Sequence, residues 1–199
     1  DNNSLAENVV LSVLEDSQGK VWIGHEQGLE NWDPTNGKVT QYYHNANDPL
    51  SITEGAIWQI GEVSSNYLIL ATDKRIDLFD KQTSRTIHYD KLKSKNGEVL
   101  KMAFYAIAKS QDGDFYVASS SSTIHKLNPL TGEAQLIFDA SQDPMTAEAE
   151  YFSVILPAEN QQLWFGSTTG LYLLDLNTQK VNRFSVADKQ NSLSSNIIY

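Results

Sequence analysis

The chain has 199 residues, 40% hydrophobic and 20% charged, the balance of an ordered globular protein rather than a disordered segment. A formal charge of −10 and a pI near 4.7 argue against nucleic-acid and anionic-membrane binding, which rest on Lys and Arg neutralising phosphates. There is no cysteine, which excludes disulfides, thiolate metal sites and cysteine nucleophiles, and no apolar run reaches the roughly 18–20 residues of a membrane span.

Turn chemistry divides the first 49 residues into four short strands, predicted at Val9–Glu15, Val21–His25, Gly28–Trp32 and Lys38–Tyr43. They are separated by Ser-Gln-Gly-Lys at 17–20, by a break at Gln27-Gly28, and by Asp33-Pro34-Thr35-Asn36-Gly37. Asn and Gly in the last link tolerate the positive φ that a tight reversal requires.

The same unit then recurs. The hairpin SQGKVWIG at 17–24 returns as QDGDFYVA at 111–118 and ENQQLWFG at 159–166, with YLILAT midway between the first two. Trp22, Ile69, Tyr116 and Trp164 are therefore spaced 47, 47 and 48. Asp33, Asp80, Asn128 and Asp175 follow at 47, 48 and 47, while Leu11, Trp58, Tyr105, Phe152 and Tyr199 precede at a constant 47. Four strands in about 47 residues is the arithmetic of a propeller blade. The expected fold is all-β, with four-stranded antiparallel blades at about 5–49, 50–97, 98–144 and 145–190. Residues 191–199 then open a further blade, an expectation under which the propeller continues past Tyr199.

A four-stranded sheet cannot bury both faces alone, and stacking on its neighbours does so. Trp22, Trp32, Trp58, Tyr105, Phe152 and Trp164 are accordingly assigned to the layers between blades. Open blade edges imply self-association or a dimer.

Catalytic patterns are absent from the sequence. His25, His44, His88 and His125 have no metal-ligand spacing, Ser167 lies outside a Gly-x-Ser-x-Gly elbow, and no Gly-rich phosphate loop occurs, so neither cofactor nor metal is expected. Glu15-Asp16, adjacent on a strand, point to opposite faces and bound a hairpin rather than forming an acid–base pair. The serine run Ser119–Ser122 is read as a strand-connecting loop. The inner strands offer Ser12, Gln59, Ala106 and Ser153 in one column, poor equipment for a propeller lyase, glycosidase or quinoprotein. Seven of the fifteen cations, Lys74, Arg75, Lys81, Arg85, Lys91, Lys93 and Lys95, fall in blade 2 and are read as a solvated face, with an anion or partner contact as the sharper reading.

Antiparallel topology gathers the second-to-third strand links and the blade-to-blade links on one rim. That rim carries His25, Glu26, Gln27, Asp73, Lys74, Arg75 and Ser120 with His44, Asn45, Asn47, Glu54, Asp90 and Lys91. Of these, His25, Glu26, His44, Asn47, Glu54, Lys74 and Arg75 are the candidate contacts for a small polar ligand, such as a carbohydrate. A protein–protein scaffold is the other non-enzymatic reading, and Trp32-Asp33 resembles the dipeptide of Trp-Asp repeats.

Ser4-Leu5, Asn8, Glu15-Asp16, Gly19, Val21-Trp22-Ile23-Gly24, Gly28-Leu29 and Trp32-Asp33-Pro34 together resemble the two-component regulator propeller repeat. The fourth copy resembles it through Leu163-Trp164-Phe165-Gly166-Ser167-Thr168, Gly170-Leu171 and Leu174-Asp175. Blades 2 and 3 depart, with Ala71 and Ala118 in place of the strand glycine and Arg75-Ile76 and Thr123-Ile124 in place of Gly-Leu. The resemblance implies the periplasmic sensor segment of a bacterial inner-membrane receptor whose output is a histidine kinase, a hybrid kinase or a diguanylate cyclase. The segment itself is non-catalytic on that reading, and its membrane contact lies in parts outside this chain.

Overall fold

The computed structural model describes residues 4–89, 103–186 and 192–198. Sixteen strands among them form four antiparallel sheets, each of four strands in chain order. Blade 1 comprises β1 (Val10–Glu15), β2 (Val21–His25), β3 (Gly28–Asp33) and β4 (Lys38–Tyr43), and blade 2 comprises β5 (Ile57–Ser64), β6 (Tyr67–Thr72), β7 (Ile76–Asp80) and β8 (Arg85–Tyr89). Blade 3 follows as β9 (Phe104–Lys109), β10 (Phe115–Ser119), β11 (Thr123–Leu127) and β12 (Ala134–Asp139), and blade 4 as β13 (Phe152–Ala158), β14 (Gln162–Ser167), β15 (Leu171–Asp175) and β16 (Val181–Phe184). Blades 1 and 2 form one compact unit, and the strands from Tyr105 onward form another.

The second strands are buried on both faces, as β6 and β10 show, whereas β4 and β8 alternate with solvent. A continuous apolar run in the middle of a sheet and alternation at its edge follow from this. In the first unit, Trp22 stacks on Tyr42 at 5.9 Å and meets Phe79 of blade 2 edge-on at 5.7 Å. Ile57, Ile60, Leu68 and Leu70 complete that layer. In the second unit, Phe165 stacks on Tyr172 at 5.1 Å and takes Phe152 edge-on at 4.6 Å. Aromatic pairs of this kind contribute about 0.5–1.5 kcal/mol each beyond their area.

The turn between third and fourth strands repeats atom by atom. Asp33, Asp80 and Asp175 each accept from the backbone N–H two residues on, at 3.0, 2.8 and 3.0 Å. Their carbonyls accept from Gly37, Ser84 and Gln179 at 2.8, 2.9 and 2.8 Å. Those residues and Gly132 hold φ of 70°, 58°, 59° and 74°.

Three expectations are corrected. Trp22 and Phe152 are 2% and 0% exposed as layer residues should be, and Trp32, 39% exposed, pairs with Val21 on the face of blade 1 away from Trp22 and blade 2, but Trp58 retains 36% exposure. Trp58 falls where the β5–β6 register slips between Ile57 and Gln59, and the bulge turns its ring out of the layer. The inner-strand column is also displaced in blade 4. Ser12 pairs with Gly24 and Gln59 with Ala71, but Gly166 takes Val154 rather than Ser153. The cause is one extra residue in the link between β10 and β11, where Ala118 and Ile124 pair six positions apart instead of the five of Ala71–Ile76 and Gly166–Leu171. A one-residue slip exchanges the faces of a strand.

Lys81, read as part of a solvated face, is instead 6% exposed at its side chain. Residues 192–198 contain no strand, and Ile198 N donates to Ser167 O at 3.0 Å. Asp90, Lys91, Lys93, Lys95, Asn191 and Tyr199 lie outside the described residues.

Candidate functional site

Two repeated polar devices build the rim. The last residue of each second strand folds its side chain back over the following turn. His25 Nδ1 accepts from Gln27 N at 3.2 Å, Thr72 Oγ1 from Lys74 N at 3.3 Å, Ser119 Oγ from Ser121 N at 3.3 Å, and Ser167 Oγ from Thr169 N at 3.0 Å. All four are buried, and His25 is 1% exposed, so its imidazole supports the turn from beneath.

The second device is a buried carboxylate on the third strand. Asp77 accepts from Thr53 N at 2.8 Å and from Thr53 Oγ1 at 2.9 Å, and its counterpart 47 residues earlier, Glu30, accepts from Ala6 N at 2.8 Å. Each fastens the segment that leads into its own blade's inner strand. Charged hydrogen bonds of this kind are the strong ones. Neither carboxylate was singled out by motif, although the spacing of Glu30 and Asp77, and of Ala6 and Thr53, equals the repeat.

On this frame the blade 2 rim gathers Glu54, Lys74 and His44. Lys74 Nζ meets Glu54 Oε2 at 2.7 Å, both side chains being well exposed. The hydrogen bond and charge of Lys74, with a contribution from His44, hold the Glu54 carboxyl below its usual range. His44 Nδ1 is in turn 3.0 Å from Ile52 O. Beside the pair, Asp73 accepts from Ala56 N at 2.8 Å and from Trp58 Nε1 at 2.7 Å. Gly55, at φ +108°, leaves room for this carboxylate, since a Cβ there would stand 2.6 Å from Asp73 Oδ2. Trp58 thus presents a fixed, half-exposed indole next to an ion pair.

The remaining candidates are spread around that centre. Glu26 is exposed in the blade 1 turn, where Gln27 Nε2 donates to Glu7 Oε1 at 2.8 Å, the counterpart of Lys74–Glu54 47 positions earlier with an amide in place of the ammonium. Asn47 lies in the link held by Asn45 Oδ1 at 3.0 Å. Arg75 N donates to Thr72 Oγ1 at 3.2 Å, and the charge of its side chain opposes protonation of His88, whose Nδ1 is 2.7 Å from Asp77 Oδ1. Ser120 belongs to blade 3 and the second unit. Among the described residues no group of three or more His, Asp or Glu is placed to hold a metal ion, and no helix is long and apolar enough to cross a membrane.

Residues 4–27 match the two component regulator propeller family. No curated protein matches the chain. Among solved structures, one described as the extracellular domain of a hybrid two component system from B. thetaiotaomicron superimposes with a TM-score of 0.76 at 23% identity, covering 90% of this chain and 25% of that one. Another, described as the extracellular domain of a one component system from the same organism, gives 0.60 at 14% identity over 97% of this chain and 31% of that one. The WD40 β-propeller domain of Doa1 gives 0.64 at 18% identity, covering 84% and 51%. The chain thus spans a quarter to a third of the two B. thetaiotaomicron domains. It has the β-propeller fold and, at residues 4–27, the sequence of a two component regulator propeller repeat.

Proposed function

We propose that the chain is the ligand-receiving part of a periplasmic sensor domain, belonging to a bacterial membrane receptor of the histidine kinase or diguanylate cyclase type, and that it catalyses no reaction itself. The observation that carries this reading is the blade 2 rim, where the Trp58 indole, oriented by Asp73, stands beside the Lys74–Glu54 pair. A flat apolar ring bordered by fixed donors and acceptors suits a small polar solute such as a carbohydrate, which offers a C–H face to the ring and hydroxyls to the charges. The repeat at 4–27 and the likeness of fold to two extracellular sensor domains support the setting. Binding would bias the relative orientation of two receptor chains, a two-state output driven by differential affinity.

The experiment is a thermal-unfolding screen of the chain against neutral and acidic oligosaccharides and free amino acids. A ligand held at a hundred times its Kd adds about 2.7 kcal/mol to stability. The expected result is a raised midpoint with at least one saccharide, abolished in Trp58→Ala and reduced in Lys74→Ala. If none of the saccharides raises the midpoint, or if Trp58→Ala binds as the parent does, the proposed site is wrong.

A further inference from the structure

At the opposite end of the strands, the first unit fills the space between its blades with charge. Asp16, in the β1–β2 turn, accepts from Trp22 Nε1 at 2.8 Å and from Lys81 Nζ at 2.9 Å, and Lys81 reaches Glu62 at 3.1 Å. Glu62 closes the network on Ser17, accepting from its N and its Oγ at 2.9 Å each.

The second unit has the same backbone here and none of these charges. Gly113 N donates to Ser110 O as Gly19 N does to Asp16 O, and Leu176 N donates to Gln161 O as Lys81 N does to Asn66 O. These bonds fix the equivalences. Ser110 stands for Asp16, Pro157 for Glu62, Leu176 for Lys81 and Tyr116 for Trp22. The cation and both its carboxylates are lost together, and what remains is a cleft of about 260 Å³. At about 30 Å³ per molecule that is the liquid volume of some eight or nine waters.

The lining of the cleft is rich in hydrogen-bonding groups and carries one charged residue, Asp112. Gln111, Gln161 and Gln162 bring three amides, Ser110 a hydroxyl and Tyr116 a mostly buried ring. Asp112 also lines it, but Lys126 Nζ and Ser110 Oγ both donate to its carboxylate, which leaves its charge already matched. Asn160 and Gln161 both hold φ of 58°, so the β13–β14 turn at the lip of the cleft has a left-handed backbone that glycine would adopt without strain.

We propose that this cleft between blades 3 and 4 is a second binding site, for a small neutral polyhydroxylated solute of monosaccharide size. Amides donate and accept in equal measure and so match hydroxyl groups, and the apolar Leu176 and Pro157 provide the wall against which C–H groups pack. An ammonium ion is disfavoured because both carboxylates that hold Lys81 in the first unit are replaced. The site does not depend on the rim proposed above.

The test is a titration of the 15N-labelled chain with D-glucose and, separately, with n-butylamine, read by amide chemical shifts. Saturable shifts at Ser110, Gln111, Gln161 and Gln162 with D-glucose alone are expected, and they should persist in Trp58→Ala. Gln161→Gly should raise the thermal midpoint and weaken D-glucose binding at least fivefold, which separates a binding role from a folding one. The triple variant Ser110→Asp, Pro157→Glu, Leu176→Lys rebuilds the charged network and should abolish binding. The proposal is overturned by the absence of saturation, by a response to n-butylamine instead, by unchanged affinity in Gln161→Gly, or by loss of the shifts in Trp58→Ala.

Discussion

Asp16 and Lys81, 65 residues apart in sequence, meet at 2.9 Å between the first two blades, with side-chain exposures of 0% and 6%. Burial opposes ionisation of Asp16, but the hydrogen bonds from Trp22 and Lys81, and then from the N–H groups of Lys20 and Gln18, hold its carboxyl below the usual range. The pair joins two blades that no covalent constraint fixes face to face.

Removing the cation alone should be costly, since it strands two carboxylates in a largely dry layer. Lys81→Met is expected to destabilise the first unit by about 3–5 kcal/mol. Urea unfolding followed by the fluorescence of Trp22 and its neighbours measures this, and a loss below about 1 kcal/mol would mean that the network is solvated.

Two limbs of pH dependence follow. Glu62, like Asp16, is held below its usual range, because hydrogen bonds from Ser17 and Lys81 outweigh burial. Both contribute stability that is complete above their unfolded values of about 4 and is lost as pH falls through the folded ones. His88 runs the other way. Its hydrogen bond to Asp77, against the opposing effect of burial, raises its pKa, and its Nε2 lies 3.1 Å from Pro49 O, so both ring nitrogens face acceptors. That stability is complete below the unfolded value of about 6.5 and is lost as pH rises through the raised one. The thermal midpoint should therefore decline above about pH 6.5, and His88→Gln should flatten that decline without changing the acid limb.

Ser84 and Gln179 occupy a position that is glycine in the other two blades. Gln179→Gly should stabilise the chain by about 0.5–1 kcal/mol through relief of the left-handed conformation. Ser84→Gly relieves the same conformation and should gain a similar amount. A loss of stability in chemical denaturation for either variant would contradict this assignment.

Gly24 lies where blade 2 comes closest. A Cβ there would stand 2.5 Å from Ser12 Oγ and 2.8 Å from Ile57 O. Gly24→Ala should cost about 1–3 kcal/mol, as overpacking does, with the loss confined to the first unit. Amide hydrogen exchange resolves the two units and would show protection falling in blades 1 and 2 alone.

The strands and turns were legible because period and turn chemistry agree. The segments Val21–His25 and Lys38–Tyr43 form as read, and Asp33, Asp80 and Asp175 head the same turn. What sequence could not show was the face each residue takes. One extra residue in the serine-rich link moved the inner-strand column by one in blade 4, and a bulge turned Trp58 outward. Lys81 stands in a run of cations that reads as a solvated face, yet its equivalents are Pro34, Pro129 and Leu176, and a cation in an apolar column is the signal of a buried partner. The rim was legible as a list of polar loops; the pairing of Lys74 with Glu54 and of Trp58 with Asp73 required coordinates.

The reading of the chain as part of a membrane sensor is tested most directly by sequencing the gene on both sides of the codons for Asp1 and Tyr199. The account predicts further propeller blades, one membrane-spanning helix, and a histidine kinase or diguanylate cyclase module in the same open reading frame. A reading frame that encodes neither a membrane segment nor an output module would contradict it.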